Sequence, residues 1–268
     1  MLKQRVITAL LIGLPVIAIL LWLPRLLTVA LFAVVVMMAG WEWASLAQMR
    51  LRVTKWTYMV ALALCLFLSW QYLRAAEPLH WLLQGALAWW SIALLWILLR
   101  PLSVPRGVAA VAGLLVLVPA WLTLALLHLR LPAGPQWVLF LFLMVVSADI
   151  GGFLFGRHFG RNKLAPRVSP GKTWEGVAGG LLLSMVVALA GAHWFAMPTG
   201  PFMLLCLLTV LVSIVGDLTE SLFKRHAGLK DSGSLLPGHG GVLDRIDSIT
   251  AAAPMFLSGL LYLGVFVA

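Results

Sequence analysis

The densest chemistry in this sequence lies in Gly216-Asp-Leu-Thr-Glu-Ser-Leu-Phe-Lys-Arg225, followed by Lys230-Asp231 and Pro237-Gly-His-Gly-Gly-Val-Leu-Asp-Arg-Ile-Asp247. On a helix, Asp217, Glu220, Ser221 and Lys224 fall at i, i+3, i+4 and i+7 and form one polar stripe. Asp244, Asp247 and Ser248 form a similar stripe ahead of the last apolar run. Carboxylates on facing helix ends with Lys and Arg beside them suit a divalent cation and phosphate, because hard oxygen ligands hold Mg²⁺ and the ion neutralises phosphate oxygens. Gly238, Gly240 and Gly241 let backbone N–H groups approach a phosphate. Asp244 and Asp247 alone could equally be helix-capping acids. That explanation fails for Asp217 and Glu220, which are expected at the end of a helix, where negative charge is disfavoured.

A second constellation runs from Ser147-Ala-Asp149 through Gly156-Arg-His-Phe-Gly-Arg161-Asn-Lys163 to Ser169-Pro-Gly-Lys-Thr-Trp-Glu-Gly176. Asp149 sits about two turns inside an apolar run, where a lone carboxylate costs roughly 2.5–3.5 kcal/mol. It is expected to be functional, the alternative being an ion pair with a residue such as Arg157. Small residues at 147, 148, 151, 152 and 156 permit close helix packing around it. Gly171-Lys172-Thr173 is not a P-loop: Pro166 stands where the first glycine is needed, and no strand is expected ahead of it. Arg161, Lys163, Arg167 and Lys172 are explained either by topology or by phosphate contact, which is favoured for Lys172. Glu42, between Trp41 and Trp43, is a weaker candidate, and His80, His128 and His193 are given no role.

These residues must be held by membrane helices. Of 268 residues, 62% are hydrophobic and 10% charged, against about a quarter charged in soluble domains. Continuous apolar runs recur, each long enough to cross a core of roughly 30 Å. The absence of alternation argues against a barrel. The expectation is an all-α polytopic membrane protein with nine spans, near 6–23, 26–48, 54–73, 80–99, 108–129, 136–156, 175–197, 200–219 and 249–267. Residues 1–130 are read as a five-span scaffold and 131–268 as a four-span catalytic region with loops near 157–174 and 220–248. With this count, 16 of the 19 Lys and Arg residues fall on one side, leaving Arg25, Arg74 and Arg130 on the other. The positive-inside rule then puts the amino terminus in the cytoplasm and the carboxyl terminus outside.

Seven of the nine acids lie between Asp149 and Asp247; the others are Glu42 and Glu77. The net charge of +10 comes from short loops rather than a basic face, which argues against nucleic acid. Cys65 and Cys206 lie in apolar runs, with no zinc or disulfide pattern. The start resembles a signal peptide, yet no small-residue cleavage site follows, so it is expected to be an uncleaved first span.

The polar segment is similar to the signature of the phosphatidate cytidylyltransferase (CDP-diglyceride synthetase) family: Ser-x-x-Lys-Arg, four residues, Lys-Asp, a spacer, His-Gly-Gly, two residues and Asp-Arg-x-Asp. Ser221, Lys224, Arg225, Lys230, Asp231, His239, Gly240, Gly241, Asp244, Arg245 and Asp247 stand at those spacings. Ser169 to Gly176 resembles a second family stretch, Ser-Pro-x-Lys-Thr-x-Glu-Gly, tied to nucleotide and metal handling; Gly171 stands where many members carry a base. The positive-inside rule places the site on the cytoplasmic face, and the short outer loops and lack of a transit peptide suit a bacterial inner membrane. The resemblance implies CMP transfer from CTP to phosphatidate, and a homodimer. It implies Asp217 and Asp244 as principal ligands of a paired cation site, Mg²⁺ with K⁺ as candidate second ion, assisted by Asp247 and Glu220. Lys224, Arg225, Lys230 and Arg245 would contact phosphates, and Lys172, Thr173, Ser221, Asp231, His239, Gly240, Gly241, Asp149 and Glu175 would complete the substrate site. The same residues leave open a nucleotidyl or phosphoryl transferase acting on a polyprenyl lipid. A cation-coupled transporter using Asp149 and Asp217 is disfavoured, because its polar residues should sit near the midplane in two related halves.

Overall fold

A computed structural model describes residues 13–74, 80–99, 104–233 and 240–265. His239, Pro237 and Gly238 of the glycine-rich turn lie outside the described residues, as does Glu77. Helices run over Gly13–Trp22 (α1), Arg25–Leu46 (α2), Arg52–Arg74 (α3), His80–Leu99 (α4), Arg106–Arg130 (α5), Gly134–Phe159 (α6), Trp174–Trp194 (α7), Thr199–His226 (α8) and Leu243–Tyr262 (α9). Seven of them, α2 to α8, are long and apolar enough to cross a membrane. The all-α polytopic expectation therefore holds at that level.

Two boundaries differ from expectation in ways that matter for the site. A two-stranded antiparallel hairpin, Lys163–Ala165 (β1) and Ser169–Thr173 (β2), precedes α7 and corrects both the purely helical reading and the expectation of no strand there. It is pinned at its base by Trp174 N–H donating to Asn162 O at 3.0 Å. Pro166, in the connection between the strands, still excludes a P-loop. The second difference is that α8 does not end at Asp217. It continues to His226 and stops where Gly228, with φ of +72°, adopts the left-handed turn that terminates helices, its N–H bonding Arg225 O while Leu229 N–H bonds Lys224 O. Asp217 and Glu220 are thus well inside the helix, and the basic last turn, Lys224 to His226, suits its negative dipole end.

Packing in the second half depends on missing side chains. A Cβ on Gly180 would come within 2.7 Å of Ala148 O, and one on Gly176 within 2.9 Å of Gly152 O. The α6 and α7 backbones can approach only because these positions are glycines, as small-residue interfaces in lipid require. Gly216 does the same between α8 and α9, where a Cβ would lie 2.6 Å from Asp247 O. Larger side chains fill the rest of the core: Trp137 stacks on Phe195 at 3.6 Å between ring centroids and touches Phe202 and Phe256. In the first half, Trp43 donates from Nε1 to Ala109 O at 2.8 Å and joins α2 to α5.

Candidate active site

The glycine contacts bring four elements to one polar cluster. Lys172 projects from β2, and its Nζ lies 2.5 Å from Asp217 Oδ2 in α8. Ser221 Oγ donates to the other oxygen of Asp217 at 3.4 Å, one helical turn on. Asp149, from α6, lies within electrostatic range of Asp217, Lys172 and Arg245. Asp247, from α9, faces Asp217, Asp149 and Lys172. Three carboxylates from three helices therefore share Lys172, with Arg245 near Asp149. The structure sets Arg157, the alternative partner for Asp149, over the Phe153 ring at 5.9 Å.

Beside this group lies a second one. Lys224 Nζ reaches Asp244 Oδ1 at 2.6 Å and Glu220 Oε1 at 3.0 Å, joining α8 to the first turn of α9. Glu220 is 2% exposed, and its carboxyl also faces Asp247, which links the two groups. Asp244 Oδ2 accepts from Ser232 N–H at 3.0 Å, Ser232 Oγ at 2.9 Å and Gly241 N–H at 2.9 Å. Asp244 is thus held by a lysine and by the loop that leads into its own helix. Gly240, just before, has φ of +79°, where a side chain would be strained.

Other expected site residues take different places. Thr173 is buried and caps α7, its hydroxyl accepting from Gly176 N–H at 3.1 Å. Glu175 accepts from the Asn162 side chain at 2.8 Å and backbone at 3.1 Å, fastening the hairpin to the start of α7. Arg225 donates from Nε to Val168 O at 3.3 Å and ties the hairpin turn to the end of α8. Lys230 and Asp231 are exposed on the segment after α8.

The donor set is entirely oxygen and fits a hard divalent cation in chemistry. Among the described residues, however, no three acidic, His or Cys side chains converge into one ligating group. In this arrangement the lysines supply the positive charge, with Lys172 on Asp217 and Lys224 on Asp244.

Two residues in the site were underweighted or missed. Glu42, from α2, is 2% exposed and accepts from Val242 N–H at 3.0 Å, Leu243 N–H at 2.8 Å and Ser232 Oγ at 2.9 Å. Ser232 was not singled out at all, although its hydroxyl touches both Glu42 and Asp244. An intramembrane acid without a cation nearby in sequence is the signal that could have raised Glu42. Nothing local distinguishes Ser232 from an ordinary loop serine.

Residues 3–263 match the family model described as the cytidylyltransferase family. The chain belongs to that family. It is 44% identical over 264 residues to the phosphatidate cytidylyltransferase of Pseudomonas aeruginosa, with 96% of each chain covered. It is 40% identical over 282 residues to the phosphatidate cytidylyltransferase of Haemophilus influenzae, covering 96% of this chain and 97% of the other. The protein of the same name from Brucella suis is 37% identical over 226 residues, 76% of this chain and 84% of its own. The expected family membership is thus borne out.

Proposed function

We propose that this protein transfers CMP from CTP to phosphatidate, giving CDP-diacylglycerol and pyrophosphate, at the cytoplasmic face of a bacterial inner membrane. The observation that carries the reading is the pairing of Lys172 with Asp217 and Lys224 with Asp244, which gathers α6, the hairpin, α8 and α9 around one charged cluster. Relatives named phosphatidate cytidylyltransferase that match nearly the whole chain support it.

In the reaction an oxygen of the phosphatidate phosphomonoester forms a bond to the α-phosphorus of CTP. The bond from that phosphorus to the α,β-bridging oxygen breaks, and its electron pair leaves with pyrophosphate. The nucleophile is already an anion, so a protein base is not required; the obstacle is bringing two anions together. Lys172, Lys224 and Arg245 offset that repulsion, and preorganised charges of this kind supply much of the rate in such chemistry. Lys172, paired with Asp217, directs its remaining donors to a phosphate oxygen of CTP. Asp217 and Asp244, assisted by Asp247 and Glu220 and with Asp149 behind them, would hold Mg²⁺, which would supply positive charge to the triphosphate. Lys224 and Ser232 keep Asp244 oriented, and Ser221 does so for Asp217.

The topology proposed with this function has nine spans, the amino terminus inside and the catalytic region in 131–268. The sixteen-to-three split of basic residues supports it. A homodimer is proposed from the family resemblance, and light scattering of the detergent-solubilised protein tests it. The function itself is tested by pyrophosphate release from purified protein with CTP or ATP, and with phosphatidate or a polyprenyl phosphate. Release only with CTP, phosphatidate and a divalent cation is the expected result; turnover of the polyprenyl phosphate instead would overturn the lipid assignment.

A further inference from the structure

We infer that Glu42, contributed by the second helix of the scaffold half, is a positioning residue of the transferase site, fixing the start of α9 and through Ser232 the orientation of Asp244. The inference rests on the proposed transferase function for its consequence, and on the geometry alone for the clamp itself.

Glu42 lies in the last turns of α2, the negative end of that helix dipole, and is almost fully buried. An acid in such a place is unfavourable unless donors satisfy it. The donors come from another helix: Val242 N–H to Oε1 at 3.0 Å and Leu243 N–H to Oε2 at 2.8 Å. First-turn amides have no partner within their own helix, and Val242, at the cap position of α9, makes no side-chain cap of its own. Glu42 therefore caps α9 from across the bundle, and the positive end of the α9 dipole offsets the unfavourable end of α2.

The fit is tight enough to specify its neighbours. A Cβ at Gly233 would overlap Glu42 Oε1, and one at Gly241 would overlap Glu42 Oε2 and Ser232 Oγ. The two chain segments flanking the glycine-rich turn thus converge on one carboxylate. Ser232 then relays its position. Its hydroxyl lies 2.9 Å from Glu42 Oε2 and 2.9 Å from Asp244 Oδ2. A hydroxyl has one proton to donate, so it serves one carboxylate at a time, and loss of either partner changes what the other receives.

The test compares Glu42→Gln, Glu42→Asp, Ser232→Ala and the Glu42→Gln/Ser232→Ala double variant, in purified full-length protein. Hydrogen–deuterium exchange over 240–248 reads the clamp directly. In Glu42→Gln that segment is expected to exchange at least tenfold faster, while the α2 and α5 peptides keep wild-type protection. Turnover should fall at least tenfold with KM for CTP within about twofold, because Asp244 is misplaced rather than a substrate contact removed. The double variant should be little worse than Glu42→Gln alone, and Glu42→Asp should regain part of both signals. Unchanged exchange over 240–248 in Glu42→Gln would overturn the clamp, and so would an equal rise in every peptide. If Glu42→Gln fails to fold, the same two readings on Glu42→Asp decide the matter. Faster exchange with normal turnover would overturn the link to Asp244. Failure of wild-type protein to use CTP and phosphatidate would sink the transferase reading and leave the exchange result standing.

Discussion

Lys172 Nζ lies 2.5 Å from Asp217 Oδ2, so a cation from a short hairpin meets a carboxylate nine residues inside the end of a membrane helix. Neither residue reaches the other by local structure. The contact requires α6 and α7 to pack glycine on glycine and the hairpin base to be tied by Asn162. An ammonium has three donors, so Lys172 can hold Asp217 and still offer N–H groups to a phosphate oxygen.

That spare donor capacity separates Lys172 from its neighbour Thr173, whose hydroxyl is occupied in capping α7. Lys172→Gln should raise KM for CTP about tenfold or more, the order expected when a charged hydrogen bond worth about 1.5–3 kcal/mol is lost. Thr173→Val should leave KM for CTP within about twofold and instead lower stability by about 1 kcal/mol, the usual cost of a helix cap. Steady-state kinetics and thermal unfolding in the same detergent check both. A large KM effect in Thr173→Val would return that residue to the substrate site.

Asp217→Asn keeps shape and removes charge. Turnover is expected to fall by roughly 100-fold or more, the scale seen when one preorganised electrostatic group is lost. Membrane insertion and the amount of folded protein should be unchanged, as judged by size-exclusion profile. Near-normal turnover would remove Asp217 from the metal and phosphate chemistry.

Lys224 has a different balance, because it neutralises two acids that are both largely buried, Glu220 and Asp244. Lys224→Met leaves them uncompensated and should destabilise the protein by about 3–5 kcal/mol, as removal of one partner of a buried pair does. Adding Glu220→Gln should return part of the melting temperature but none of the turnover, since Asp244 still lacks its partner. Recovery of both by the double variant would mean that Lys224 is structural only.

Much of this was readable beforehand, and the failures have physical causes. The stripe Asp217, Glu220, Ser221 and Lys224 follows from helical spacing and is seen as the Ser221–Asp217 and Lys224–Glu220 contacts. Close packing around Asp149 was legible from its small neighbours. The end of α8 was misjudged because hydropathy reports where lipid stops, whereas a helix stops where the backbone can turn, at Gly228. The hairpin was missed because three- and five-residue strands leave almost no periodic pattern. Glu42 was undervalued because its partners are some 190 to 201 residues away and two of them are backbone amides, which carry no sequence signature.

Removal of metal gives the last test. Chelation with EDTA should abolish pyrophosphate release, and Mg²⁺ should restore it. Asp149 faces Asp217 without being one of the expected principal ligands. Asp149→Asn should therefore raise the Mg²⁺ concentration for half-maximal turnover by about 10- to 100-fold, the usual cost of losing an outer partner of a metal ligand. Turnover at saturating Mg²⁺ should recover substantially in that variant, whereas Asp217→Asn should not recover at any Mg²⁺ concentration. If both variants respond to Mg²⁺ alike, Asp149 is a ligand of the same rank as Asp217. If neither responds, the carboxylates serve to hold Lys172 and Arg245 in place, and the cation binds through the substrate phosphates.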